Sequence, residues 1–300
     1  MKILLENSSG IFFKYKTKKM KRVAIQGGLG AYHGIAAEEF FANEEVEIIP
    51  CPNFIDIFKA IKKDPNTVGI MAIENTIAGS LLQNYELLKE HKLKVAGEHK
   101  LRISHCLAAL PNQTIHDIKE INSHPIALMQ CKSFINSIPG VKAVEHEDTA
   151  LAARDIAKNQ LFGYAAICSE RAAEIYGLNI LAHGIETNKR NFTRFLIFGN
   201  DWVVDEIQQD ETINKASIVF TLPHSEGSLS KVLSVFSFYD INLTKIQSLP
   251  ILGREWEYQF YVDFKFADLE RYKQSLSAIR PLINELRTLG EYPEGETPEI

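Results

Sequence analysis

The stretch Val23-Ala24-Ile25-Gln26-Gly27-Gly28-Leu29-Gly30-Ala31-Tyr32 decides the fold class. Its first residues read as a short buried strand, its three glycines as a tight turn, and a helix over residues 33–43 follows. The same strand-to-helix alternation runs on from there. A strand at 46–49 precedes a helix whose Phe54, Ile57, Phe58 and Ile61 fall on one face, and a strand at 68–73 delivers Glu74 and Asn75 to its carboxyl end. A helix over 81–90 leads to strands at 93–96 and 103–110, where a second unit begins. That unit has strands at 120–122, 143–145 and 164–167 and helices at 125–137, 149–158 and 169–176. Alternation of this kind predicts largely parallel sheets with crossover helices, and ligands collect where the strands' carboxyl ends converge.

After residue 200 the pattern changes. Residues 201–214 carry five Asp/Glu and no glycine or proline and read as a linker. Strand 216–222, helix 227–239, strands 242–249 and 256–264, helix 269–280 and strand 285–292 then give β-α-β-β-α-β, the ferredoxin-like plan. Residues 291–300 hold four Glu and two Pro, so 293–300 reads as an acidic tail without regular structure.

With 300 residues, 45% hydrophobic and 24% charged, the chain has enough material for about two domains. No apolar run approaches the ~20 residues of a membrane span, and the opening lacks the apolar region of a secretory signal, so a cytoplasmic protein without membrane contact is expected. Cys51, Cys106, Cys131 and Cys168 are far apart and form no C-x-x-C pair, and no histidine spacing suggests a metal. Residues 1–22 carry seven Lys/Arg against Glu6 alone, yet the net charge is −5, which argues against nucleic acid. Residues 1–21 read as a mobile extension ahead of the first strand, with Met20 near its end, or else residues 3–5 or 11–15 within it add a short edge strand.

The chemistry gathers in a few short motifs. Asn191-Phe192-Thr193-Arg194-Phe195 sets a hydroxyl beside a guanidinium; on a β-strand the two would face opposite ways, so one site holds both only at a strand mouth or cleft edge. The others are the glycine-rich turn with Gln26, Gly27, Gly30, Ala31 and Tyr32; Glu74-Asn75-Thr76 with Ser80; Ser123-His124-Pro125; and Asp148-Thr149-Ala150. The turn can bring backbone N–H groups to an anion, but it does not fit the dinucleotide pattern G-x-G-x-x-G and no phosphate-loop Lys follows, so no cofactor is expected. Pro125 after a polar residue is an ordinary helix start, as Ser80 and Asp148 are ordinary caps, and each of these positions keeps that plain reading beside the functional one.

Taken in order, these motifs resemble the prephenate dehydratase family, and the section 216–264 resembles the ACT regulatory domain that follows in it. The resemblance implies an α/β fold: a two-lobed, periplasmic-binding-protein-like catalytic domain over 22–200, with lobe one about 22–100 plus 178–200 and lobe two about 101–177. A ferredoxin-like ACT domain over 215–292 follows. It also implies an enzyme that converts prephenate to phenylpyruvate, carbon dioxide and water. Thr193 is then the hydroxyl that donates near the leaving group, with Glu74 either a proton source or a helix cap and Asn75 beside it. Arg194 would clamp the pyruvoyl carboxylate. Gln26, Gly27, Gly30, Ala31, Tyr32, Thr76, Ser80, Ser123, His124, Asp148, Thr149, Asn191 and Phe195 would line the site. Gly227, Ser228, Leu229, Asn242, Leu243, Gln247 and Ser248 would hold phenylalanine as an effector, weakened because Gln247 and Leu249 replace a Glu and an Arg of the family motif. A homodimer or homotetramer through the ACT domain is expected. Arogenate, which differs by an ammonium in place of the keto group, is the rival substrate, and a non-catalytic sensor is the rival class.

Overall fold

Strand β1 (Lys21–Gln26) is buried on both faces, and the sheet grows around it. The computed structural model describes residues 20–251, 253–255 and 257–298. After β1 come α1 (Tyr32–Phe40), β2 (Val46–Cys51), α2 (Phe54–Lys63), β3 (Val68–Asn75), the short β4 (Gly79–Ser80), α3 (Leu82–His91) and β5 (Lys94–Arg102). The second lobe contains β6 (Cys106–Ala109), β7 (Glu120–Ser123), α4 (Pro125–Gln130), α5 (Lys132–Asn136), β8 (Lys142–Glu145), α6 (Thr149–Lys158), β9 (Tyr164–Cys168), α7 (Glu170–Ile175) and β10 (Asn179–Ala182). The chain returns through β11 (Phe192–Gly199) and α8 (Asp201–Ile207).

The first sheet has the order β2-β1-β3-β11-β5, with β4 on β3, and the second has β10-β6-β9-β7-β8. Strand β11 runs antiparallel between β3 and β5, setting Thr193 opposite Asn75 and Arg194 opposite Glu74. Helices cover both faces of the first sheet. The apolar face of α2 (Ile57, Phe58, Ile61) joins Tyr85 and Leu88 of α3 on one side, while Ala36 and Ala37 of α1 join Val203 and Val204 of α8 on the other.

The third sheet is β12 (Lys215–Thr221), β13 (Asn242–Pro250), β14 (Tyr258–Lys265) and β15 (Leu286–Tyr292), antiparallel in the order β13-β14-β12-β15. Helices α9 (Ser228–Phe238) and α10 (Leu269–Ile279) pack on one face through Val232, Phe236 and Tyr272. Val219, Tyr261, Leu289 and Tyr292 of the opposite face join the core of lobe one. The two domains therefore share a core.

Several boundaries differ from those expected. Lys21 belongs to β1, buried and paired with Glu206 at 3.2 Å, so the preceding segment ends one residue earlier; residues 1–19 lie outside the described residues. The expected helix 125–137 breaks at Cys131 into α4 and α5. Strand β10 pairs with β6 and stays in lobe two, so the return to lobe one comes after it. The linker starts as a helix, because Val203 and Val204 give it an apolar face. The acidic tail is held as far as residue 297: Glu294 pairs with Lys265 and with Lys100, the Gly295 N–H donates to Glu98 at 3.1 Å, and Thr297 accepts from Lys100 at 3.1 Å.

Candidate active site

A cavity of 690 Å³ opens between the lobes. Five helices begin at its wall: Ala31 to His33 enter α1, Asn53 and Phe54 enter α2, Leu81 and Gln83 enter α3, His124 and Ile126 enter α4, and Asp148 and Thr149 enter α6. Helix N-termini carry partial positive charge and free N–H groups, so their convergence favours an anion. The described lining residues include no lysine or arginine, and two acids, Glu147 and Asp148, stand on the lobe-two side.

A chain of hydrogen bonds crosses the cleft floor, and its direction follows from the backbone. The N–H groups of Ile77 and Ala78 donate to Asn75 Oδ1 at 3.0 and 2.8 Å, which fixes the amide. Asn75 Nδ2 is then the donor, with Asn191 Oδ1 (2.8 Å) and Thr193 Oγ1 (3.0 Å) its nearest acceptors and the Phe192 carbonyl farther off at 3.2 Å. Asn191 Nδ2 donates in turn to Gln130 Oε1 at 3.0 Å. That oxygen is an acceptor, so His105, 2.9 Å away, carries its proton on Nε2 and leaves Nδ1 bare, 2.8 Å from the Tyr32 hydroxyl, whose single proton is shared between that nitrogen and the Ser104 carbonyl, also at 2.8 Å. Burial keeps both ends neutral, lowering the pKa of His105 and raising that of Tyr32 well above its ordinary value. At the other end Thr193 Oγ1 accepts from Asn75 and donates to no described residue. Its proton is free for a molecule in the cleft.

Arg194 is not in the cleft. Strand alternation sends it through the back of the sheet, where Nε donates to Glu98 at 2.5 Å, Nη1 to Asp263 and Nη2 to the Tyr292 hydroxyl at 3.0 Å. Glu74 leaves by the same face and pairs with Lys245 at 2.9 Å. The expected carboxylate clamp and proton source are thus both bound to the C-terminal domain. Thr76 is also outside: its hydroxyl donates to the Arg190 carbonyl and accepts from Phe192 N, fastening the strand entry. Ser123 is fully buried and donates to the Ile167 carbonyl at 2.6 Å.

Among the other expected residues, Gln26, Ala31, Tyr32, Asn75, Ser80, His124, Asp148, Thr149, Thr193 and Phe195 line the cavity, and Asn191 stands behind it. Gly27 has φ +101°, and a Cβ there would meet the Asp148 carboxylate at 2.7 Å; Gly30, at φ +82°, lies as tightly on Ala172. These contacts join the turn of lobe one to α6 and α7. Asp148 caps α6, accepting from Ala150 and Leu151, and burial raises its pKa. His124 caps α4 through Ile126 N, and burial lowers its pKa. Gln130, His105 and His33 were not anticipated. Their signal in the sequence is faint: a neutral amide beside Ala127 and Cys131 on the buried face of α4, and a histidine between Ile103 and Leu107 at the entry to an apolar strand.

In the C-terminal domain, Gly227 starts α9 at φ +73°, Ser228 bonds Ser225, Leu229 packs on the local core, and Asn242, Leu243, Gln247 and Ser248 lie along β13. No described group of His, Cys, Asp and Glu is arranged to hold a metal, and no described helix is long and apolar enough to cross a membrane.

The fold and site together define a two-lobed α/β domain whose cleft presents a hydroxyl donor, followed by an ACT-like sheet. This chain belongs to the prephenate dehydratase family: the family profile of that description matches residues 23–202. It is 39% identical to arogenate dehydratase 5, chloroplastic, of Arabidopsis thaliana over 295 residues, which cover 92% of this chain and 68% of that one. The fold matches a protein described as a novel type of quorum quenching acylase, GqqA, with a TM-score of 0.81 at 27% identity, covering 92% of this chain and 98% of the other. It matches prephenate dehydratase from Arthrobacter aurescens in complex with L-Phe with a TM-score of 0.78 at 24% identity, covering 93% and 92%. Prephenate or arogenate dehydratase activity in phenylalanine biosynthesis, a carbon–oxygen lyase reaction, goes with this membership.

Proposed function

We propose that the cleft converts prephenate to phenylpyruvate, carbon dioxide and water. The observation that carries this reading is the direction of the Asn75–Thr193 hydrogen bond, which leaves the Thr193 proton facing the cavity. As the bond to the ring carboxylate breaks, its electrons enter the ring and expel the hydroxyl opposite. A donor at that oxygen lets it leave as water. Threonine is too weak an acid to ionise, so Thr193 donates in the transition state and passes on a proton drawn from solvent. The helix N-termini offset the substrate's negative charge without a fixed cation. That suits a carboxylate that must lose its charge, since a firm ion pair to it would stabilise the ground state more than the transition state. Phe54, Ala72, Ile103 and Phe195 supply an apolar place for it. Mixing the protein with prephenate and following phenylpyruvate absorbance tests the proposal; no product with either prephenate or arogenate would overturn it.

Arogenate is a second reading, and a specific observation favours it. Glu147 and Asp148 line a cleft that holds no described lysine or arginine, so an ammonium has carboxylates to meet. If arogenate is preferred, Asp148→Asn lowers kcat/KM for arogenate more than for prephenate. Equal losses assign Asp148 to capping α6. Amide hydrolysis is less well supported, because Thr193 is hydrogen-bonded to an amide rather than a base. We extend the proposal to L-phenylalanine as effector of the C-terminal domain and to a homodimer or homotetramer formed through it, since β13 is an edge strand with alternating exposed residues.

A further inference from the structure

The hairpin turn that orients Asn75 is clamped from outside by the C-terminal domain. Glu74 and Ser80 are register partners at its two ends, and between them lie the Ile77 and Ala78 N–H groups that fix the Asn75 amide. Lys245 of β13 reaches both ends, pairing with Glu74 at 2.9 Å and donating to Ser80 Oγ at 2.7 Å. Its side chain is nearly buried and lies beside the Tyr85 ring, 5.3 Å from the centroid. A second tie stands behind Thr193. Arg194 is held by Asp263 and Tyr292 of the C-terminal sheet, and Ser217 Oγ fastens Asp263 in turn at 2.6 Å. Glu98, the remaining partner of Arg194, pairs with Lys215 at 2.8 Å, so two cations meet two carboxylates in the buried joint.

We propose that Lys245 and Arg194 are positioning residues through which the C-terminal domain holds Asn75 and Thr193 in register, and so aims the Thr193 hydroxyl. Neither lines the cavity. Their effect on the reaction, which rests on the dehydratase reading above, passes through the turn and the strand. Loosening either tie disorders the donor without removing any group that touches substrate. Turnover falls while affinity stays, the mark of an interaction needed in the transition state alone. Because both ties end in the same sheet, a ligand that shifts that sheet acts on both partners of the catalytic hydrogen bond.

The test compares Lys245→Met, Lys245→Arg and Tyr292→Phe with the unaltered protein. Lys245→Met is expected to lower kcat by roughly five- to thirtyfold, the size of couplings carried through intermediate residues, with KM within about twofold. Lys245→Arg, which keeps the cation, is expected to recover most of the loss, and Tyr292→Phe to show a smaller fall of the same kind. Amide exchange at Ile77 and Ala78 is expected to speed by roughly tenfold in Lys245→Met as the turn opens locally. Unchanged kcat with unchanged exchange would overturn the proposal, as would a raised KM at constant kcat, which would place Lys245 on the substrate. If the unaltered protein turns over neither acid, the dehydratase reading fails by itself and the exchange measurement alone decides the positioning. Should Lys245→Met not fold, Glu74→Gln breaks the same clamp from its more exposed side and carries the same expectations.

Discussion

Asn75 has to be an amide, because it accepts from two backbone N–H groups and donates to Thr193 with the same side chain. Asn75→Asp keeps the shape and reverses the last bond, since a carboxylate only accepts and would draw the Thr193 proton out of the cleft. This variant is expected to lose roughly a hundredfold in kcat with KM little changed, and steady-state kinetics on the preferred acid checks it. Thr193→Ala is expected to lose a similar factor, while Thr193→Ser retains far more; an Ala variant with over half of normal turnover at saturation would remove Thr193 from the mechanism. At this scale the sequence was legible in part. Alternation along a strand already sets Thr193 and Arg194 on opposite faces, and the structure obeys it. The family motif drew both into one site, whereas residue spacing alone separates them. Gln130 was hidden for the opposite reason: a neutral amide within an apolar helix looks like core until its distant partners Asn75, His105 and Asn191 are seen.

At the scale of elements, the joint between α1 and β3 depends on an uncharged imidazole. His33 accepts the Ala72 N–H at Nε2 and packs edge-on to Phe195, and burial lowers its pKa to about 4. An unfolded histidine takes up its proton near 6.5, so between those values the unfolded chain binds more protons than the folded one and stability falls as pH falls. The contribution is complete above about pH 6.5 and lost by about pH 4. It amounts to at most about 3 kcal/mol, less where water reaches the ring. Denaturant unfolding at pH 7 and pH 5 is expected to show this drop in the unaltered protein and a smaller one in His33→Gln; identical drops would show that His33 is not its source. The elements themselves were readable because period and length separate strand from helix, as in the β-α-β-β-α-β order from β12 to β15. What was not readable depended on distant partners. The break at Cys131 and the tethering of the tail by Lys100, Lys265 and Glu98 arise from surfaces far away in the chain, and an acidic, proline-containing end gives no sign of them.

The whole molecule has its third sheet enclosed, with helices on one face and lobe one on the other, so any ligand of the C-terminal domain acts on a surface already joined to the cleft. Strand β13 is where this matters most. Leu249 packs against the core of lobe one, and the Gln247 side chain, two residues away on the same side of the strand, donates weakly to the neighbouring Ser248 carbonyl at 3.4 Å. Introducing the family's arginine at 249 therefore sets a charge against apolar groups. Leu249→Arg is expected to lower the melting temperature rather than tighten effector binding, whereas Gln247→Glu leaves folding intact. Phenylalanine is expected to inhibit the unaltered protein with modest affinity, because an effector shifts an equilibrium only by its differential contacts and two charged ones are replaced here. Titrating phenylalanine against activity, with calorimetry and light scattering alongside, decides the matter. Gradual inhibition accompanied by a change in subunit association supports it, and binding without any effect on turnover would separate the ACT-like domain from control of the cleft. If Lys245 carries the signal, Lys245→Met binds phenylalanine as before yet loses most of its inhibition. Retained inhibition in that variant would move the coupling to the Arg194 joint, where Tyr292→Phe is then the variant in which it weakens.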